Sequence, residues 1–325
     1  MEQKIKELRK KLEELLEEFR KNSENNQELH VKLNISPELL EKIIFDENES
    51  GLKEIAIPMD LLKNLDFTGI SFKDVNIHYI DFAGTKGVVI NPEELYGKSM
   101  YSAKLNGVTI EGSFEGVDIV NTDFTGSIGA VINPEELSDK NMRRAKLNGV
   151  TIEGSFEGVD IVNTDFTGST GAVINPQEVS DKSMYGAKLN GVTIEGSFEG
   201  VNIVNTDFTG STGAVINPQG IYGKNMKGAK LSGVELVGSF EGVNIVNTDF
   251  TGSKGAVINI QEIDDKNMSG AKMNGVTIIG SFKDVDYKDA DFTGTIFDES
   301  KKYKDEIYEA EEEINRLLLT LKNNN

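Results

Sequence analysis

A stretch of forty-two residues, Gly171 to Thr212, recurs nearly unchanged in copies that begin at Gly87, Gly129, Gly213 and Gly255. A shorter, diverged copy runs before them, from about Leu65 to Lys86. A constant period of this size means a repeat architecture, in which each unit buries its apolar face against its neighbours. A second beat lies inside the first. In the 171 copy the large apolar residues are Ile174, Val179, Met184, Leu189, Ile194, Phe198, Ile203 and Phe208, and the next copy resumes at Ile216. The steps are 5, 5, 5, 5, 4, 5, 5 and 8. Neither a helix nor an ordinary strand has a period of five. The repeat length alone would suit an array of helices. Six glycines in the 171 copy, with many Val, Thr and Asn, argue against one.

A beat of five places one inward side chain on each short straight segment, with a turn after it. Four segments close a square coil, so eight apolar steps give two coils per copy. Small or β-branched residues two positions earlier (Ala187, Val192, Val201 and Thr206) fill the corners. Lys188, Thr193, Asn202 and Asp207 lie between and face water. Gly191, Gly196 and Gly210 fall where a turn tolerates positive φ.

The pentads AKLNG (187–191), VTIEG (192–196), VNIVN (201–205) and TDFTG (206–210) resemble the motif of the pentapeptide-repeat family: a small residue, Asp or Asn, Leu or Phe, then two variable positions. The resemblance covers roughly residues 65–297. It implies an all-β solenoid, a right-handed quadrilateral β-helix. At two coils per copy that gives about eleven coils and a rod on the order of 50 Å long. Two slots per copy depart from the motif: Gln177-Glu178-Val179 and Lys182-Ser183-Met184 put Gln and Lys where a small inward residue belongs. Asn175-Pro176 before them reads as a helix start, with Asn as N-cap and Pro at the first position. That side is expected to bulge or make a helical turn. Phe124, Phe166, Phe208, Phe250 and Phe292 are expected to form one internal aromatic column.

Four regions follow. Residues 1–24 form an amphipathic helix with a coiled-coil-like seam of Ile5, Leu8, Leu12, Leu15 and Phe19. Two readings of it stand: a dimerisation helix, or a helix folded onto its own chain. Residues 25–65 are a helical and extended cap over the first coil, residues 66–297 the β-helix. Residues 298–325 are a second amphipathic helix, whose Ile307, Ile314, Leu317 and Leu321 either close the far end or pair two chains.

The charge is −20, from 54 acidic and 34 basic residues, which gives no net basic surface for nucleic acid or an anionic membrane. Cysteine is absent, so thiol catalysis, disulfides and thiolate metal sites are excluded; this fits a reducing cytoplasm. The start, MEQKIKELRK, is charged, unlike a secretory signal, and no apolar run approaches the ~20 residues of a membrane helix. His30 and His78 stand alone, and nothing resembles a Ser-His-Asp set, a phosphate loop or a dinucleotide fingerprint. No enzyme, cofactor or metal is expected. The repeated Asp column (Asp123, Asp165, Asp207, Asp249, Asp291) has members two coils apart, about 9.6 Å, too far to share an ion held at about 2.3–2.6 Å. These carboxylates read as turn caps, and so does the Asn column at 91, 133, 175, 217 and 259.

KLNGVTIEGSFEGV recurs unchanged at 104, 146 and 188, whereas the stretch after INP varies. That stretch carries Tyr96, Tyr101, Arg143, Arg144, Tyr185, Tyr222 and Lys227, residue types that favour interfaces, so it is the candidate partner-binding face. The chain therefore reads as a non-enzymatic scaffold for a protein partner, with a homodimer through the terminal helices as one arrangement. The alternative comes from the resemblance: some pentapeptide-repeat proteins linked to quinolone resistance are acidic dimeric rods that imitate duplex DNA and engage DNA gyrase. The copies from Gly87 onward carry −4, −3, −3, +1 and −3, so the fourth interrupts any acidic stripe.

Overall fold

The structure is a computed structural model that describes residues 3–11, 14, 37–57, 63 and 65–298. Two compact units divide the chain. One holds Met1–Ile174, Glu178–Asp181 and Asn190–Val192; the other holds Asn175–Gln177, Lys182–Leu189 and Thr193–Asn325.

In the first unit, helix α1 (3–11) precedes α2 (Pro37–Ile44). An antiparallel pair follows, β1 (Phe45–Glu47) against β2 (Lys53–Ile55). The repeats then add very short strands, all paired in parallel. They are β3 (Val89–Ile90) with β4 (Thr109–Ile110), and β5 (Val131–Ile132) with β6 (Thr151–Ile152); β7 (Val173–Ile174) comes next. In the second unit, β8 (Thr193–Ile194) is followed by β9 (Val215–Ile216), which pairs with β10 (Glu235–Leu236). A three-stranded sheet ends the unit, in the order β11 (Val257–Asn259), β12 (Thr277–Ile279), β13 (Ile296–Phe297).

Register proves the coil. Asp81 bridges Lys104, Lys104 bridges Asp123, and Asp123 bridges Lys146, all in parallel. The offsets alternate between 23 and 19 residues, so two coils take up one copy. The same alternation joins Asp207, Lys230, Asp249 and Lys272 in the second unit.

The beat of five is the core. Ile90, Leu95, Met100, Leu105, Ile110, Phe114, Ile119 and Phe124 are all at most 4% exposed. Their counterparts from Ile216 to Phe250 in the second unit are buried equally. Each such side chain contributes about 1.5–3 kcal/mol of hydrophobic stabilisation before chain entropy is subtracted. The corner residues Ala103, Val108, Val117 and Thr122 are fully buried too. This is the quadrilateral all-β solenoid that the pentads imply.

The departing slots make helical turns. Asn91 caps a 3-10 turn over Pro92–Glu94, accepting from the Glu93 amide at 3.3 Å, with proline at the first position. Asn133 does the same for Pro134–Glu136. A second turn, Tyr96–Lys98, kinks through Gly97 at φ 61. The eight-residue step needs glycine: Gly171 sits at φ 81, and a Cβ there would lie 2.4 Å from the Ile152 carbonyl oxygen.

The aromatic interior differs from a single column. Phe124, Phe166, Phe208 and Phe250 are fully buried, yet rings pair within copies. Phe114 meets Phe124 at 5.9 Å, Phe156 meets Phe166 at 5.8 Å, and Phe240 meets Phe250 at 5.9 Å. Members of the expected column stand two coils apart, about 9.6 Å, beyond the 4.5–7 Å over which rings interact. Residues ten apart lie on opposite sides of one coil, so their rings meet across the interior. Phe292 also departs from the expectation, being half-buried in the last coil.

Candidate interaction surface

One residue before most inward residues the chain faces water, and charges on this outer surface pair from coil to coil. Lys86 meets Asp66 at 3.5 Å, Lys104 meets Asp81 at 3.2 Å, and Lys146 meets Asp123 at 2.8 Å. In the second unit Lys230 meets Asp207 at 2.8 Å and Lys272 meets Asp249 at 3.0 Å. Each aspartate also caps its own turn: the Thr125 amide donates to Asp123 Oδ1 at 3.0 Å, and the Thr209 amide to Asp207 Oδ1 at 3.0 Å. Partial burial raises the Asp123, Asp207 and Asp249 carboxyls, but their lysine and threonine donors outweigh it and hold them below the ordinary value. Hydrogen bonding to the carboxylate lifts Lys146 and Lys230. The turn-capping was legible in the sequence; the lysine partners were missed. Their signal is positional, because the Lys of AKL and the Asp of TDF occupy the same pentad slot.

The variable residues divide between two faces. Tyr96 and Tyr222 sit on the kinked 3-10 turns, 43% and 67% exposed. Tyr101, Arg143, Tyr185 and Lys227 occupy a second slot, recurring every two coils. Arg143 pairs with Asp160 at 3.4 Å. Arg144 is exposed at φ 59, in the left-handed region where the later copies carry Gly186, Gly228 and Gly270. The Tyr185 hydroxyl accepts from Asn205 Nδ2 at 3.3 Å. Tyr101 packs edge-on against Tyr79 at 5.5 Å and lies 6.2 Å from His78. Sequence reasoning missed that cluster. Tyr79 is 70% exposed at φ 61, and His78 keeps a buried Nε2 without a hydrogen-bond partner. Like residues two coils apart stand about 9.6 Å from one another. Within each unit these are separate side chains on a surface.

Among the described residues, no three His, Cys, Asp or Glu side chains gather as a metal set, and no helix is long and apolar enough to cross a membrane. Of the terminal seams, Ile5 and Leu8 are half-buried. Between them and the cap, Arg9 binds the end of α2: Nε donates to the Ile43 carbonyl at 2.7 Å and Nη2 to the Phe45 carbonyl at 2.8 Å. Arg9 also pairs with Asp46, and beside it Lys53 pairs with Glu41 at 2.9 Å, so two of the cations lining the cleft under α1 are paired within it. Leu12, Leu15, Phe19, Ile307, Ile314, Leu317 and Leu321 lie outside the described residues.

No family model matches the chain, and no curated protein does. Solved structures do. One is HetL, a pentapeptide repeat protein involved in heterocyst differentiation regulation from the cyanobacterium Nostoc sp. strain PCC 7120. It is 14% identical, over 70% of this chain and 91% of that one, with a TM-score of 0.23. QnrB1, a plasmid-mediated fluoroquinolone resistance protein, matches in two forms. The first is 15% identical over 71% of this chain and 94% of that one, with a TM-score of 0.19. The second is 16% identical over 66% and 88%, with a TM-score of 0.13. The fold assignment rests on the chain's own inward beat and coil register.

Proposed function

We infer that this chain, a pentapeptide-repeat protein by its fold, is a non-enzymatic scaffold that binds a protein partner through the variable slots of its repeats. One observation carries the reading. Where the copies differ most they carry Tyr, Arg and Lys at least partly open to solvent, among small residues; where they agree, most residues are core, corner or turn, with glutamates such as Glu111 and Glu153 exposed. Repetition of the second kind builds a support, and variation of the first kind supplies the contacts. Tyrosine and arginine are the types that most often dominate binding energy at protein interfaces. The cysteine-free composition is compatible with the reducing cytoplasm, where we place its action. The DNA-mimic alternative is disfavoured by the alternating Asp–Lys column, which breaks up the acidic stripe a duplex surrogate needs.

The test compares capture by the native chain with capture by two variants. One is Tyr101→Ala/Arg143→Ala/Arg144→Ala/Tyr185→Ala; the other is Glu111→Gln/Glu153→Gln, in the constant stretch. A partner lost by the first and kept by the second supports the reading. Equal capture by all three chains removes this face from the interaction.

A further inference from the structure

The first coil is closed by the chain itself. Leu40, Ile43, Ile44 and Phe45, from α2 and the start of β1, are at most 8% exposed, and Phe45 packs edge-on against Phe72 at 5.6 Å. Beneath them Leu65, Phe67, Ile70 and Phe72 are no more than 5% exposed. A coil end exposes apolar side chains and unpaired backbone groups, and here an amphipathic helix covers them.

The last coil has no such cover among the described residues. Its inward beat positions are Phe282, Tyr287 and Phe292; Phe297, where the earlier copies carry glycine, pairs in register with the buried Ile278. Phe240 and Phe250, two coils earlier, are 3% and 0% exposed. Phe282 and Phe292 are only half-buried, while Tyr287 is 49% exposed, Phe297 45% and Ile296 58%. The four rings touch one another, with centroids 5.6–6.4 Å apart. Among the described residues β13 pairs with β12 alone. A contiguous aromatic patch beside an open strand edge marks a surface that something covers.

We propose that residues 301–322 of the same chain cover this end as an amphipathic helix. Tyr303, Ile307, Ala310, Ile314, Leu317 and Leu321 make an apolar stripe with steps of four and three, matching one helix face. The stripe begins five residues beyond Asp298, a reach of about 17 Å from the exposed strand. So short a tether holds the segment near its own coil at an effective concentration on the order of millimolar, well above that of a dilute second copy. The first unit already solves the same problem with its own helix.

Hydrogen exchange and sedimentation of the full chain test this. The native chain should sediment as a single chain, and the amides of β12 and β13 should be protected equally at every dilution. The variant Ile307→Asp/Ile314→Asp/Leu317→Asp should exchange there at least about tenfold faster, with copies 87–254 unchanged as an internal control. If that variant does not fold, a chain ended at Asp298 replaces it under the same readout. Protection that grows with concentration alongside a doubled mass would overturn the proposal in favour of a second copy. Equal exchange in native chain and variant would overturn it outright.

Discussion

Thr164 shows how much one atom decides in a repeated corner. Thr122, Thr164, Thr206 and Thr248 are fully buried, in slots that elsewhere hold Ala or Val. Threonine persists there because its Oγ1 donates into the interior: Thr164 to the Met142 carbonyl at 2.7 Å, and Thr206 to the Met184 carbonyl at 2.7 Å. Valine has the same shape without the donor. The Met142 carbonyl also accepts from the Ala145 amide at 3.0 Å, so it is not orphaned when the hydroxyl goes. Thr164→Val should therefore lose only the net worth of one hydrogen bond, about 0.5–1.5 kcal/mol, with no change in denaturant m-value. Urea unfolding reads both quantities. A loss above about 3 kcal/mol would mean that the threonine holds more than this carbonyl.

The Asp–Lys column is the clearest case of an element that the sequence half disclosed. The beat of five fixed which side chains point inward, since only a side chain at Phe124 or Leu105 could fill the coil. Asp123 could likewise be read as a turn cap, because an Asx turn is local. Lys146 lies 23 residues further on, and its pairing exists only once the coil offset is known. The Tyr79–Tyr101 contact was hidden for the same reason, joining a repeat to the diverged copy before it. Ring pairing across one coil required knowing that ten residues span half a turn. The column has a pH signature. Asp123, Asp207 and Asp249 are held below their ordinary 3.8, so their contribution is present above that pH and is lost as pH falls through the lower folded values. Lys146 and Lys230 are raised above 10.5, so the same pairs weaken only when pH rises through those higher values. The melting temperature should fall on acidification below pH 3.8, and less steeply in a Lys104→Met/Lys146→Met/Lys230→Met/Lys272→Met variant. The lysine side chains are more than half exposed, so each pair is weak and high salt should narrow the difference. Identical acid profiles in both proteins would show that the column contributes nothing.

At the scale of the whole molecule, a charge of −20 says less about partners than where that charge is placed. A surrogate for duplex DNA must present carboxylates in succession, because a duplex carries one negative charge per about 1.7 Å of its axis. On the column face of each unit the signs alternate from coil to coil, and the 213–254 copy carries a net +1. Arg143 and Arg144 add cations to the variable face of the first unit. Long-range attraction to a basic, DNA-binding surface is therefore broken on two faces, and it weakens further within a screening length of about 8 Å at physiological salt. A gyrase supercoiling assay with the native chain at micromolar concentration should show no inhibition. The same assay on the Lys104→Glu/Lys146→Glu/Lys230→Glu/Lys272→Glu variant separates charge from shape, because it gives one unbroken acidic run from Asp81 to Asp165 and another from Asp207 to Asp291 on the same coils. Inhibition by the variant alone would show that charge layout is what withholds mimicry from the native protein. Dose-dependent inhibition by the native chain would establish that its remaining acidic faces suffice, and the scaffold reading would give way to the mimic.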